Sequence, residues 1–491
     1  MTRRYRRLEG GGPPLPPVPA VCVSHVATHV AVASHDAWKW GIFVGALIAC
    51  SVCFVLYLWL PPRRVTLYLL MPALRTTGLH PQPHEPIKAA RLSKTIPWHE
   101  GAGNNKFVLV PAVFSPADDG FVVRMRLGQD NVLVVLDSGS GNLSVGTADC
   151  VKQELCSAHD GAYRPAASPH AVNMNKPVNL EYASLSVEAH WWKDAATLQF
   201  VPPWRCHATP PALEDVPDEV SLSALVPVAA AARMDGTSSN ILGLFGHHGG
   251  DEPVLELMLR ALGVPRRWAL AAYESGGGYF CLGDTPLESC FADTPMRHVP
   301  MSTAFTFHGA PCVDVHAVRW RRRTHTHEKN KSNNQMQPWT TAPPGTFPLH
   351  CVIDTGTAFS YCTSSASGFA ALAGLPRADD VVTFAALQDL PELQIELANG
   401  LAIVYGPSRY MIPTNTNTHT MEKDDDKTFQ TTLCCGDDTV DAVLGAHTSC
   451  FLTGITHLSG LLLDVDLERR MVGFGRLPLP PNLALPSSLV P

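Results

Sequence analysis

The stretch VVLDSGSGNLSVG (Val134 to Gly146) has a second copy of its pattern in CVIDTGTAFSYC (Cys351 to Cys362). In each, an apolar run rich in β-branched residues leads to Asp, a hydroxyl residue, Gly and a second hydroxyl residue. Such a run predicts a buried strand. A buried strand seldom ends on a carboxylate without a reason, because burying an unpaired charge is costly in free energy. The Gly permits a tight turn, and the flanking hydroxyls can hydrogen-bond the carboxylate oxygens.

The two carboxylates of this pattern, Asp137 and Asp354, are far apart in the chain. Only a fold with internal two-fold symmetry would bring them together, and the duplicated motif predicts that symmetry. At close range like charges prevent both groups from ionising, so the pair would hold one shared proton. One carboxylate then acts as general base on a water molecule, and the protonated one acts as general acid toward a carbonyl oxygen. The motif therefore predicts peptide hydrolysis without a covalent intermediate.

From Phe107 to Arg476 the sequence resembles the pepsin-like aspartic proteases. Besides the two Asp loops, this family has a hydrophobic-hydrophobic-Gly element beneath each catalytic loop, and NILGLFG and AVLGA match it in order. The matching residues are Ile241, Leu242 and Gly243 in the first half and Val443, Leu444 and Gly445 in the second. The resemblance implies an all-β, bilobed pepsin-like fold with a central cleft. It also implies an aspartic-type endopeptidase whose substrate is an extended peptide or protein segment.

Within this resemblance Asp137 and Asp354 are the catalytic residues, and six neighbours support them. These neighbours are Ser138, Gly139, Ser140, Thr355, Gly356 and Thr357. We expect Ser140 to hydrogen-bond the outer oxygen of Asp137, and Thr357 to do the same for Asp354. The family needs neither a metal nor an organic cofactor. Maximal activity is expected at acid pH, because the working pair needs one proton.

Tyr182 is the candidate for the tyrosine of the flap, the hairpin that closes over substrate in this family. Its distance after the first Asp is suitable, but Ala183, Ser184 and Leu185 follow where the family usually has Gly. A tyrosine in an ordinary strand is the alternative. Ser144 stands where many members carry Trp. We expect this change to remove the hydrogen-bond partner of the flap tyrosine.

The cysteines indicate the cellular compartment in which the catalytic domain lies. The chain has 14 of them, and Cys150 and Cys156 have the spacing of the small disulfide loop found in many pepsin-like proteases. Disulfides form and persist in oxidising compartments. We therefore expect the catalytic domain to lie in the lumen of the secretory or endolysosomal pathway, or at the cell surface.

The stretch 41–60, GIFVGALIACSVCFVLYLWL, carries no charge and is long enough to span a bilayer. We interpret it as an uncleaved single-pass anchor, with a cleaved signal peptide as the alternative. Residues 61–106 are either a stalk or a basic pro-segment. The predicted organisation is a cytoplasmic basic and Pro-rich tail (1–40), the anchor (41–60), the stalk or pro-segment (61–106), an N-terminal lobe (107–297), a C-terminal lobe (298–476) and a Pro-rich tail (477–491).

The amino-acid composition limits the kinds of molecule that the protein is expected to bind. A net charge of -7 with only 16% charged residues leaves no basic surface for nucleic acid. We expect a monomer that contacts peptide and, through its anchor, a membrane. Two polar insertions, 319–346 and 414–428, are expected to be exposed loops. The competing function is a catalytically silent pepsin-like protein that binds a peptide or partner, as suggested by Gly141, Ser144 and the Gly-poor flap.

Overall fold

A computed structural model of the chain describes residues 107–477, except for 183–184, 202–212, 214–220, 237–238, 246–252, 275, 285–289, 292–294, 306, 308–309, 329–330, 378–379, 388, 414–427 and 436–448. The predicted tail (1–40), anchor (41–60), stalk or pro-segment (61–106) and nearly all of the second tail (477–491) lie outside these residues. Within the described ranges, no helix is both long and apolar enough to cross a membrane. All of the described residues fall in one of the two units into which the chain divides, Lys88–Pro491.

The described chain is mostly β, as its Val, Leu and Ile runs predict. In the first half the strands are β1 (Phe107–Ser115), β2 (Gly120–Leu127), β3 (Asp130–Asp137), β4 (Leu143–Gly146), β5 (Val172–Glu181), β6 (Leu185–Gln199), β7 (Ser221–Gly236), β8 (Ile241–Gly243), β9 (Arg267–Ala272) and β10 (Gly277–Gly283). The second half begins with β11 (Arg297–Pro300), β12 (Cys312–Arg321), β13 (Arg323–Glu328), β14 (Lys331–Met336), β15 (Thr340–Thr341), β16 (His350–Ile353), β17 (Ser360–Cys362) and β18 (Val381–Thr383). It continues with β19 (Glu392–Leu397), β20 (Ala402–Tyr405), β21 (Met411–Pro413), β22 (Thr428–Thr431), β23 (Leu433–Cys435), β24 (Cys450–Thr453), β25 (Leu461–Asp466) and β26 (Met471–Arg476).

Helices are few and short among the described residues. The α-helices are α1 (Ala148–Lys152), α2 (Val254–Leu262), α3 (Gly368–Ala373), α4 (Phe384–Leu387), α5 (Pro407–Tyr410) and α6 (Ile455–Leu458). Single 3-10 turns occur at Pro165–Ala167, Ser364–Ala366 and Ala398–Gly400. The longest, α2, buries one apolar side in the core and ends at Gly263, whose left-handed φ of 64° stops the helix.

One large sheet joins the two halves of the sequence. Its strand order is β11-β26-β25-β9-β10-β1-β2-β3-β8-β4-β7-β6-β5, and a second sheet of the C-terminal half has the order β20-β19-β12-β16-β24-β17-β23. The join is the antiparallel pairing of β25 with β9, in which Asp464 lies opposite Ala269. The predicted lobe boundary between 297 and 298 therefore falls inside β11, an edge strand of the shared sheet.

The strand arrangement around each Asp loop is repeated. In the first half β3 runs parallel to β8 and β8 runs antiparallel to β4. In the second half β16 runs parallel to β24 and β24 runs antiparallel to β17. Asp137 is in register with Gly243, and Ile353 with Thr453, so Asp354 aligns with Gly454. The internal repeat that the duplicated motif predicts is therefore present in the backbone.

This register corrects one sequence assignment. The family's hydrophobic-hydrophobic-Gly element was assigned to AVLGA in the second half, but Val443, Leu444 and Gly445 lie outside the described residues. The strand that pairs beneath Asp354 is β24, and the Gly that follows it is Gly454. Assigning AVLGA was therefore wrong. The apolar-apolar-Gly pattern misled because β24 carries a Thr, Thr453, immediately before its Gly.

Chain crossing explains why Gly occupies both positions. The backbone N–H groups of Phe245 and Ile455, just past the two glycines, donate to the carbonyls of Ser140 and Thr357 at 2.8 Å each. A Cβ at Gly243 would lie 2.5 Å from the backbone nitrogen of Asn142, and a Cβ at Gly454 would overlap the Phe359 carbonyl. Only a residue without a side chain permits this approach.

The first insertion is more ordered than the sequence predicts. β12 continues to Arg321, whose guanidinium bonds Glu392 at 2.7 Å and lies 4.4 Å above the ring of Trp339. β13 and β14 then form a separate two-stranded hairpin. The exposed loop expected at 319–346 is thus partly strand, because Arg321 finds a carboxylate partner on β19 and an aromatic partner within the insertion. The second insertion lies outside the described residues up to 427.

Replacing Gly454 by Ala tests the crossing. The added methyl group would displace the Phe359 carbonyl, so we expect the free energy of unfolding to fall by about 1–3 kcal/mol. Gly406→Ala is the matched control, because nothing lies within 4 Å of its Cβ position and its φ of -76° suits Ala. Urea unfolding of both variants measures the difference. Equal unfolding free energies for the two variants would contradict the close crossing.

Candidate active site

Two buried hydroxyls tie the Asp loops to one another. The backbone N–H of Ser138 donates to Thr355 Oγ1 at 3.0 Å, and the N–H of Thr355 donates to Ser138 Oγ at 3.0 Å. Each hydroxyl donates onward to the strand of the opposite half, Ser138 to Ile353 O and Thr355 to Leu136 O, both at 2.7 Å. The sequence pattern suggested that these hydroxyls hold the carboxylates. They instead join the two loops.

The loops bring the carboxyl groups of Asp137 and Asp354 within hydrogen-bonding reach of one another. Asp137 and Asp354 are each 7% exposed. The inner oxygen of each is held by the amide two residues later in its own loop, from Gly139 to Asp137 Oδ1 at 2.8 Å and from Gly356 to Asp354 Oδ1 at 3.0 Å. The distant acids of the two motifs therefore share one site.

The two loop glycines allow this approach. A Cβ on Gly139 would lie 3.0 Å from the carboxyl atoms of Asp354, and a Cβ on Gly356 would overlap the carboxyl group of Asp137. Each carboxyl thus lies against the glycine of the opposite loop. Gly is required here for close contact across the two halves rather than for a left-handed backbone angle.

The outer oxygens of Asp137 and Asp354, Oδ2 in each, differ in their hydrogen bonds. Thr357 Oγ1 donates to Asp354 Oδ2 at 2.6 Å, as the resemblance implied. Ser140 Oγ is near enough to Asp137 to lower its pKa, but it is buried and completes no hydrogen bond of good geometry. A hydroxyl without a well-aligned acceptor contributes little to holding a carboxylate. Asp354 is therefore the better stabilised carboxylate of the two.

Burial raises the pKa of both acids. For Asp137 the charge of Asp354 adds to the effect of burial, and for Asp354 the hydrogen bond from Thr357 opposes it. Two buried carboxyls side by side favour a state that keeps one proton between them. This is the protonation state that general acid and general base catalysis by one pair requires.

A third buried acid, Asp464 on β25, shows the opposite behaviour. It is fully buried, and Arg267 and His298 bond its Oδ2, each at 2.7 Å. Burial opposes ionisation, but the hydrogen bonds from His298 and Arg267 outweigh it and lower the pKa of Asp464. A paired acid of this kind stabilises the shared sheet, whereas Asp137 and Asp354 have no cation among these contacts.

The hairpin of β5 and β6 lies beside the first Asp loop. Tyr182 lies where β5 ends, and its N–H donates to Leu185 O at 2.8 Å, across the turn. Burial and then the charge of Asp137 raise the pKa of the Tyr182 hydroxyl, so the ring lies close to that acid. Its hydroxyl is 3.2 Å from Ser144 Oγ. The expectation that Ser144 removes the tyrosine's partner is therefore wrong, because the buried serine itself supplies the hydrogen bond.

The small disulfide lies beside this hairpin. Cys150, in α1, is bonded to Cys156, and both pack in one apolar cluster with residues of the hairpin. Cys312, Cys351 and Cys450 in the second half are buried thiols, and burial raises the pKa of Cys351 to about 12. A thiol of such high pKa remains protonated and unreactive. The disulfide between Cys150 and Cys156 is the one that the sequence spacing predicted, whereas the sequence left the pairing of these three cysteines open.

His457 was not recognised from sequence, although it lies directly behind the second Asp loop. Its Nδ1 is 2.6 Å from Ser360 Oγ, which also accepts the Gly454 N–H at 2.9 Å. Burial, and then the charge of Arg409, lower the pKa of His457 to about 3. A neutral imidazole can accept the serine hydroxyl, so it helps to fix the crossing beneath Asp354. A polar residue in the first helical turn after the crossing glycine was the only signal.

A mostly β chain that pairs two Asp-hydroxyl-Gly loops beside one hairpin is the arrangement that the resemblance to the aspartic proteases implied. Residues 122–202 match the family model described as eukaryotic aspartyl protease, a range that includes Asp137, both disulfide cysteines and Tyr182. No curated protein matches the chain. The match over this range supports a pepsin-like aspartic protease. The structural repeat extends the likeness to Asp354, beyond the matched range.

Replacing Asp137 by Asn tests the environment of the pair. A carboxyl with a raised pKa in the native state stabilises the fold only below its unfolded value, and that stability is lost as pH rises through the native pKa. Asn cannot ionise, so at about pH 7 we expect the free energy of unfolding of the variant to exceed that of the parent. The expected gain is about 1.4 kcal/mol for each unit by which the native pKa of Asp137 is raised. The gain should shrink toward pH 4.

Asp464→Asn is the matched control for this experiment. The pKa of Asp464 is lowered, so its contribution is present above the unfolded pKa and is lost as pH falls through the native one. We expect this variant to lose about 3 kcal/mol at neutral pH, because it removes the buried charge partner of Arg267 and leaves the more exposed Asp284. Chemical unfolding across the pH range measures both. Destabilisation of Asp137→Asn at neutral pH would contradict the raised pKa.

Proposed function

We propose that the chain is an aspartic-type endopeptidase that hydrolyses peptide bonds with a water molecule activated between Asp137 and Asp354. One observation carries the proposal: two acids from distant parts of the sequence lie side by side, nearly buried, with raised pKa values. Strongly perturbed acids that share one site are characteristic of catalytic groups. The family match supports a peptidase in general, and the geometry supports this particular chemistry.

The unequal hydrogen bonding assigns the two roles. Asp354 receives the Thr357 hydroxyl and the Gly356 amide, which favour its charged form, so it is the general base. Asp137 keeps the shared proton and is the general acid. Water loses a proton to Asp354 while its oxygen attacks the carbonyl carbon, and Asp137 protonates the carbonyl oxygen. The C–N bond then breaks as the nitrogen takes the proton from Asp354 and the diol returns one to Asp137.

Tyr182 is proposed as the flap tyrosine. Its place at the end of β5, its nearness to Asp137 and its hydrogen bond to Ser144 support this role. A hairpin in this position can cover an extended peptide and exclude water during reaction. The substrate would bind mainly through backbone hydrogen bonds, as extended peptides do when they lie along strands.

The expected pH range of activity is set by the acid pair at its upper end and by His457 at its lower end. The active state holds one proton, and because burial raises the pKa of both acids, that proton is lost only well above the ordinary value of 3.8. At low pH the neutral, buried His457 disfavours the fold, since its pKa is lowered from 6.5 to about 3. Stability therefore falls as pH decreases through that window. We infer an optimum in weakly acid solution rather than at strongly acid pH.

The proposal includes the cellular location of the enzyme and its attachment to a membrane. We propose that residues 41–60 anchor a monomer to a membrane, with the catalytic domain on the lumenal or outer side. The Cys150–Cys156 disulfide supports an oxidising compartment. The two lobes at 107–297 and 298–476, and a pro-segment or stalk before them, remain the proposed organisation. No cofactor is assigned to the reaction.

Cleavage of an unfolded protein tests the proposal. The purified full-length chain should cleave such a substrate at about pH 5, and pepstatin should block the reaction. Asp137→Asn and Asp354→Asn should each lower kcat/KM by at least about 10³-fold, because each removes one partner of the acid-base pair. Asp314→Asn is the control, because it removes a partly exposed carboxylate that bonds His350. Its activity should equal that of the parent.

A silent binding protein is the second candidate, and the unsatisfied Ser140 hydroxyl beside Asp137 is the observation that favours it. Binding of pepstatin without any cleavage between about pH 4 and 7 would contradict hydrolysis and support this function. Cleavage that survives in both Asp variants would contradict the proposed site.

A double-mutant cycle tests the contact between Tyr182 and Ser144. Ser144→Ala and Tyr182→Phe each remove one partner of the same hydrogen bond, so each should raise KM by about fivefold, and the double variant should be no worse than either. Ser186→Ala is the control, since its hydroxyl bonds Glu181 on the exposed side of the same hairpin. Additive effects of the two substitutions would show that the residues act independently.

A further inference from the structure

A second acidic cluster lies in the first half of the chain, apart from the catalytic pair. It consists of Asp118, in the turn between β1 and β2, and the adjacent residues His159 and Asp160, in the segment after the disulfide. One possible ligand atom from each residue lies within 4.8 Å of the other two. Among the described residues this is the group of acids, histidines and cysteines whose spacing suits a metal ion.

Asp160 gives this cluster its significance. The residue is 2% exposed, and its Oδ1 is 3.0 Å from His159 Nδ1. Its other oxygen, Oδ2, is buried and has no hydrogen-bond partner. The carboxyl groups of Asp160 and Asp118 face one another closely enough to interact. A buried carboxylate oxygen without a donor is costly, and a cation between the two carboxyls would satisfy it.

The other two residues are suitably placed. Asp118 is held from both sides, by Ser115 Oγ at 2.5 Å and Ser239 Oγ at 2.7 Å, so its carboxylate is fixed before any ion arrives. The side chain of His159 is 58% exposed, so it is free to adjust, and solvent can complete the coordination. A pre-positioned acid with an adjustable imidazole is a suitable arrangement for a metal site.

We propose that Asp118, His159 and Asp160 bind a divalent transition-metal ion, with zinc as the best match. Two carboxylates and one imidazole form a mixed oxygen and nitrogen set, which zinc accepts, whereas calcium prefers oxygen ligands alone. Zinc bonds to such ligands at about 2.0–2.2 Å, so the exposed His159 would move inward on binding. The family resemblance implied no catalytic metal, and this site is separate from the catalytic pair.

An ion bound at this site would stabilise β3, the strand that leads to Asp137. The Asp160 carbonyl accepts the Leu133 N–H at 2.8 Å, so this segment is bonded directly to β3. Asn240 Nδ2 donates to the same carbonyl at 3.2 Å, and the Asn240 carbonyl accepts the Val135 N–H at 2.8 Å. A bound ion would therefore link the β1–β2 turn to the strand that carries Asp137. Its effect would be on stability, independent of whether the chain cleaves peptides.

Zinc binding to the purified full-length chain tests the proposal. After removal of metal with a chelator, added Zn²⁺ should raise Tm saturably by at least about 2 °C, and Ca²⁺ should not. His159→Gln removes the exposed imidazole ligand but keeps both acids and a side-chain amide that can donate to Asp160 Oδ1, and Asp118→Asn removes a second ligand. Each variant should weaken the zinc affinity measured by calorimetry about tenfold or more and lose most of the Tm rise.

Asp314→Asn is the matched control, because Asp314 makes the same contact, 3.0 Å from a histidine nitrogen of His350, without a third acid. It should keep the full response to zinc. An equal response in His159→Gln and in the parent would overturn the proposal, as would no zinc response in the parent or a response to Ca²⁺ alone. His159→Gln provides this test even if variants of the buried Asp160 fail to fold.

Discussion

The exchange of hydrogen bonds between Ser138 and Thr355 is the contact on which the site depends. Each hydroxyl accepts an amide of the opposite loop and donates to a carbonyl of the opposite strand, so four buried bonds join two distant parts of the chain. Without this link, two like charges would move apart into water. With it, the backbone holds the carboxyls together, and glycine in each loop leaves room for the opposing acid.

Asp464 and the pair of Asp137 and Asp354 are buried acids with different partners, and these partners decide their roles. Asp464 lies between Arg267 and His298, so it is an ion-pair residue of the sheet that joins the halves. Asp137 and Asp354 have amides, a hydroxyl and each other. A charge with a cation beside it adds to stability, whereas two acids without one reduce stability at neutral pH and keep a proton available. The candidate active site is thus maintained at the expense of stability.

The sequence predicted some contacts of the site correctly and others incorrectly. The pairing of Asp137 with Asp354 and the bond from Thr357 were predicted, because a duplicated local motif implies duplicated geometry. Ser144 was misjudged, since its effect depends on the distance to Tyr182 across two strands. AVLGA was chosen over Gly454 because both fit a short apolar pattern, and only strand register distinguishes them. The orphaned oxygen of Asp160 has no sequence signal at all.

The sequence by itself determined the β class, the repeated Asp-hydroxyl-Gly loops and the identity of the two acids, because these depend on residue type and order within a few positions. Tertiary structure decided which hydroxyl bonds which group, which acid is better stabilised, and which histidine is buried behind the second loop. These properties arise from contacts between residues far apart in the chain. Their energies depend on distance and burial, which composition and spacing do not specify.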